Sequence, residues 1–276
     1  MKKIIVPIDF SDHSEYALKV AADIAKKHKS ELFLLHMLDI SDQMISITEA
    51  TKRRELMFFM QLATKKFEEF ANKDYMKGIK ITPVIKHFKV FEEVDNVAQE
   101  VGANLIVMGS QGASGVKGYF VGSNTEKVVR TSEIPVLVVK SDTKNFNPKT
   151  IVFASDFNDE NLNAFKTIRL FAESYKATLK MVYVNTPNAY FKNTLEIREQ
   201  MRAFLNKTAI SNHSENIVIF NDYSITDGIQ NAADMLDADM IAIPTHGRKG
   251  INKLLAGSIG EDVANTSNIP VLTVKI

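Results

Sequence analysis

Cysteine is absent from the 276 residues, and so is tryptophan. Without thiols the chain has no disulfide, no thiolate metal site and no cysteine nucleophile, which fits a reducing compartment. Glycine (12) and proline (7) are sparse while 45% of the residues are hydrophobic, which excludes a collagen-like or disordered chain. Neither sign of charge dominates. With 34 Lys+Arg against 33 Asp+Glu the formal charge is +1, which gives no reason to expect a nucleic acid or a membrane surface as partner. No apolar run approaches the ~18 residues that span a bilayer. The opening MKKIIVPIDF has the basic start of a signal peptide, but its apolar run ends at Asp9, so it reads as a strand. These absences predict a soluble, cytoplasmic protein with neither nucleic-acid nor membrane partners.

Catalytic signatures are missing too. There is no G-x4-GK[ST] run, so phosphates would meet no P-loop lysine, and neither GxSxG nor HExxH occurs. The six histidines (His13, His28, His36, His87, His213 and His246) show no i,i+4 ligand pairing, and no metal ligand is assigned. Nothing argues for a Ser-His-Asp triad. No catalytic residue is assigned either.

What the chain does contain is itself, twice. IIVPIDFSD (4 to 12) lies over IVFASDFND (151 to 159) at an offset of 147, matching Ile4/Ile151, Asp9/Asp156, Phe10/Phe157 and Asp12/Asp159. GASGVKGYFVGSNTEKVVRTSEIPVLVVK (112 to 140) lies over GRKGINKLLAGSIGEDVANTSNIPVLTVK (247 to 275) at an offset of 135, so the second copy is 12 residues shorter between the blocks. A period this long means duplicated domains, 1–141 and 149–276, divided within the polar SDTKNFNPKT.

Each copy alternates short β-rich runs with helical spacing. In the first, strands are predicted from about residues 2, 31, 79, 104 and 135, with helices between them, the second a long one from about Thr48 to Tyr75. In the second, strands are predicted near 150, 178, 216, 239 and 270. The βαβαβαβαβ order with near-continuous apolar strands predicts an α/β fold of two tandem doubly wound, parallel five-stranded sheet domains. The final strands, PVLVVK and PVLTVK, each follow Ile-Pro and are expected at sheet edges.

Ligands in such sheets bind beyond the carboxyl ends of the strands, where strand order reverses. After the fourth strand lies VMGSQGASGVKGYFVGSNTEKVV, with Gly109, Gly112, Gly122 and Ser123 in a G-x2-G-x9-G-[ST] pattern and Thr125 two residues on. Chance supplies roughly 0.003 such matches in a chain of this composition, so the pattern asks for a reason. Glycine permits close backbone approach, a helix starting near Gly122 offers unpaired N–H groups to phosphate, and Ser123 and Thr125 carry hydroxyl donors. The plainer reading is a shaped surface loop with Ser123 as a helix cap.

On these residues the chain resembles the universal stress protein family, and specifically its tandem two-domain members. VPIDFS after the first strand, LLHML at the second, the glycine pattern and the terminal IPVLVV carry the resemblance over nearly the whole chain. It implies the adenine nucleotide alpha hydrolase-like fold with strand order 3-2-1-4-5, binding ATP or another adenine nucleotide between the loops after strands one and four. The base then lies near Asp9 and the Met37 main chain, with Pro7 shaping that side. Met108, Gly109, Gly112, Gly122, Ser123, Asn124 and Thr125 surround ribose and phosphates. Magnesium enters only with the nucleotide. The resemblance also implies that the terminal strands pair with each other in an intrachain pseudodimer. A homodimer of chains through other faces stays open.

Residue chemistry alone leaves alternatives. Asp9 could accept from an exocyclic amine or a ribose hydroxyl, or organise the turn before the first helix. Asp12 and Glu15 read as a capping box, with Asp12 as N-cap and Glu15 at N3, which leaves Asp9 for another task. Met37 by itself reads as core packing, the adenine contact coming only from the resemblance, and His36 reads as a buried strand residue. His246 reads as a polar loop residue, and Lys52, Arg53 and Arg54 as a solvated face. Segment 39–50 is a lid or an ordinary connection.

The second copy carries Asp156, Val184, Gly247, Gly257 and Ser258 at the matching positions. There Pro244 replaces Gly109 and Gly260 replaces Thr125, so a weaker second site is expected. The function expected is an adenine-nucleotide-binding stress or energy-state regulator rather than a turnover enzyme. The alternatives are a slow ATP hydrolase and a nucleotide-free interaction module.

Overall fold

The computed structural model describes residues 1–37, 49–86, 92–110, 123–188, 191–208, 216–246 and 259–276. They fall into two compact units. The first holds the described residues up to Val128 together with Val139–Phe146, and the second holds Val129–Val138 and the described residues from Asn147 onward.

In the first unit the elements are β1 (Lys3–Pro7), α1 (Asp12–His28), β2 (Glu31–Met37), α2 (Glu49–Ala71), a 3-10 turn (Asp74–Met76), β3 (Ile81–Lys86), α3 (Glu92–Val101), β4 (Leu105–Gly109) and the start of α4 (Ser123–Thr131). β1 runs parallel between β2 and β4, and β3 runs parallel outside β2. Ile4, Ile5 and Val6 are wholly buried, as a central strand covered on both faces requires. α1 packs Leu18, Val20, Ile24 and a run of alanines inward. Acidic Asp12 and Glu15 in its first turn, and Lys26, Lys27 and His28 in its last, suit its dipole.

The second unit takes in β5 (Val136–Val139) up to Val138, and contains β6 (Thr150–Ala154), α5 (Leu162–Tyr175), β7 (Thr178–Asn185), α6 (Thr194–Asn206), β8 (Ile217–Asn221), α7 (Ile225–Met235), β9 (Met240–Thr245), α8 (Ile259–Thr266) and β10 (Val271–Lys275). Its strands β8-β7-β6-β9-β10 are parallel in that order, the 3-2-1-4-5 arrangement. β5 pairs antiparallel with β10, Val138 opposite Val271 and Val136 opposite Thr273, and this pairing draws β5 into the second unit.

The duplication reaches details that hydropathy does not specify. Asn104, just before β4, accepts from the Lys2 and Lys3 amides at 2.8 and 3.3 Å. Its counterpart Asp239, before β9, accepts from those of Lys149 and Thr150 at 2.6 and 2.9 Å. Each side chain satisfies backbone donors that the start of a central strand leaves unpaired. Phe10 and Phe157 both sit at positive φ, 64° and 56°. A bulky residue in the left-handed region is strained, and the strain recurs directly after the aspartate that ends each first-strand turn.

Candidate functional site

The turn after β1 is built around Asp9. Its Oδ1 accepts from the Ser11 amide at 3.0 Å and the Ser11 hydroxyl at 2.6 Å. Ser11 caps α1, its Oγ accepting from the Ser14 amide at 3.2 Å. This corrects the expected capping box. The cap is Ser11, Asp12 is the first helical residue, and Asp9 holds the capping side chain in place.

Beside this turn, the Ile8 carbonyl accepts from His36 Nδ1 at 2.7 Å, which fixes the proton on Nδ1. Burial holds the His36 imidazole below its ordinary pKa. Phe10, strained at positive φ, lays its ring on His36 at 4.6 Å and meets Phe67 and Phe70 at 5.5 and 5.4 Å. His36 is therefore a half-buried strand residue with an aromatic partner, and Met37 next to it ends β2 opposite Lys86.

At the end of β4, Gly109 leaves no room for a side chain: a Cβ there would lie 2.6 Å from the His13 carbonyl oxygen. The glycine lets β4 pack against the first turn of α1. Its own carbonyl accepts from the buried Thr125 hydroxyl at 2.8 Å, tying the first turn of α4 to the strand end. Met108 is buried in the sheet, and Ser110 beyond Gly109 is fully buried, its hydroxyl with no hydrogen-bond partner among the described residues. Ser123 opens α4, and Asn124 and Thr125 follow in its first turn.

The structure thus gathers Pro7, Asp9, Met37, Met108, Gly109, Ser123, Asn124 and Thr125 at the carboxyl ends of β1, β2 and β4 or the start of α4. The Thr125 hydroxyl is spent on Gly109 and acts as a brace. Gly112 and Gly122, and segment 38–48 within the expected lid or connection, lie outside the described residues, as do Gly247, Gly257 and Ser258.

In the second unit Asp156 repeats the turn, its Oδ1 accepting from the Asn158 amide at 3.1 Å. Further donors hold it there. Asn158 Nδ2 and Asn161 Nδ2 each donate to it at 2.6 Å, and Gln200 Nε2 donates to its main-chain carbonyl at 2.7 Å. Val184 ends close under α7, where a Cβ on Gly228 would lie 2.5 Å from its Cγ1. His246 meets Glu160 at 2.9 Å with both side chains more than half exposed, a surface contact.

The sequence model of the universal stress protein family matches residues 1–140 and again 147–275. The chain belongs to the universal stress protein family. Among relatives, it is 34% identical over 154 residues to universal stress protein MJ0577 of Methanocaldococcus jannaschii, covering 50% of this chain and 94% of that one. It is 30% identical over 152 residues to universal stress protein YxiE of Bacillus subtilis, covering 50% and 98%. The solved universal stress protein of Archaeoglobus fulgidus is similar in fold, with a TM-score of 0.74 over 99% of this chain and 98% of that one at 22% identity. Among the described residues no helix is long and apolar enough to cross a membrane, and no group of three or more His, Cys, Asp or Glu side chains could hold a metal ion.

Proposed function

We propose that this tandem universal stress protein binds ATP or another adenine nucleotide in its first repeat and acts as a stress or energy-state regulator. One observation carries the reading. Asp9 and the first turn of α4, braced by Thr125 on Gly109, converge at the carboxyl ends of β1 and β4, where strand order reverses. Asp9 supplies an acceptor for an amine or a ribose hydroxyl, and the Met37 main chain lies on the same side. The first-turn amides of α4 meet no intrahelical carbonyl and suit phosphate. The family pattern assigns Gly112 and Gly122 to the phosphate side as well, and magnesium would enter with the phosphates.

The second repeat is the weaker site. Asp156 already accepts from three donors, and Pro244 removes the amide that Gly109 offers. The antiparallel pairing of β5 with β10 supports an intrachain pseudodimer through the terminal strands. A homodimer of chains requires a different face. Mass spectrometry of nucleotide retained through purification tests the binding: an adenine nucleotide near one per chain supports it, and a chain that neither retains nor takes up one opposes it.

A further inference from the structure

The outer face of α2 is the largest run of exposed apolar side chains among the described residues. Met57 and Phe58 are about three-fifths exposed (61% and 60%), and Leu62 is 42% exposed. At ~100° per residue Arg54, Met57, Phe58, Gln61, Leu62, Lys65, Glu68 and Glu69 share one side of the helix, while Ala63 and Phe67 are buried on the other. Exposed aromatic and methionine side chains in one contiguous stretch mark an interaction surface.

The charges on this face say what covers it. Basic Arg54 and acidic Glu68 stand seven residues to either side of Gln61, and both are exposed. Seven residues of helix span about 10 Å, so an antiparallel copy related by a twofold axis at Gln61 sets each Arg54 against the other copy's Glu68. The same operation brings Lys65 beside the other copy's Phe58, where its aliphatic stem can cover the ring. Phe58 and Leu62 then meet their mates around the axis. A surface complementary to itself under a twofold operation is what an isologous dimer requires.

We propose that two chains pair through α2 in an antiparallel contact centred on Gln61, with Arg54 facing Glu68 of the second copy at both ends. This gives the homodimer of chains a face, and it stands or falls apart from nucleotide binding.

The absence of cysteine makes the test clean. In Gln61→Cys the single introduced thiols meet across the axis, so mild oxidation should convert the protein to a disulfide-linked dimer. Tyr223→Cys, at a second-unit side chain that is 92% exposed, should not form one comparably. Sedimentation equilibrium supplies a second reading. Arg54→Glu should weaken the dimer by about tenfold or more, as should Glu68→Arg, and the double charge swap should restore it. Equal cross-linking of both cysteine variants, a monomeric mass at all concentrations, or a double swap no better than either single change overturns the proposal.

Discussion

The Thr125 hydroxyl donates to the Gly109 carbonyl across 2.8 Å, and the second repeat has rebuilt this joint from other residues. There the counterpart of Thr125 is Gly260, and the counterpart of Ser110 is the bulkier Thr245. A Cβ on Gly260 would lie 2.5 Å from Thr245 Cγ2. The loss of Thr125 in the second copy is thus the space that the Thr245 methyl occupies. Gly260→Ala should lower stability by about 1 to 2 kcal/mol despite the better helix propensity of alanine. Adding Thr245→Ser removes the obstructing methyl and should recover most of that loss. Denaturant unfolding of the four proteins measures the coupling, expected at about 1 kcal/mol or more, and strict additivity contradicts the account.

Arg130 pairs with Glu261 through two nitrogens at 3.0 and 3.1 Å, and the glutamate side chain is 4% exposed. Removing the guanidinium takes two charged donors away from a buried carboxylate. Arg130→Met should destabilise the second unit by about 3 kcal/mol, toward the lower end for a broken buried pair because Arg130 is itself 32% exposed. Arg130→Met with Glu261→Leu should recover much of the loss. A single variant that unfolds with the parent protein shows that the pair is solvated.

His36 sets a pH dependence. Burial holds its folded pKa below the ordinary histidine value, so the unfolded chain takes up the proton first as pH falls. Its contribution to stability is complete above the unfolded value and is lost as pH drops through that value toward the folded one. The thermal midpoint should fall as pH is lowered from about 7.5 to 5.5. His36→Asn, whose amide can still donate to the Ile8 carbonyl, should make the profile shallower in that range, leaving the part due to His28, which burial likewise holds below the ordinary value. An unchanged profile in the variant contradicts the assignment.

The repeat and the strand succession were legible because they follow from periodicity and internal alignment, whereas the grouping of Asp9 and Met37 with the loop after the fourth strand came from the family resemblance. The helix cap was not. Asp12 and Glu15 have capping-box spacing, but the side chain of Asp9 holds Ser11, a contact made by a backbone turn that spacing does not encode. The replacement of Thr125 by Gly260 was visible, but its coupling to the replacement of Ser110 by Thr245 was not, since each pair lies 15 residues apart in sequence and meets only when the helix folds back on the strand. Gly109 read as room for a ligand, and its first use is contact with His13.

Isothermal titration of the whole chain with ATP and magnesium tests the central claim most directly. One tight site per chain is expected, abolished by Gly122→Glu and weakened by Asp9→Asn, with Gly257→Glu changing it little. Losing one hydrogen bond to a charged group corresponds to roughly 1.5 to 3 kcal/mol, about tenfold or more in affinity. No heat of binding for any adenine nucleotide, or a site that survives Gly122→Glu and disappears with Gly257→Glu, would contradict it.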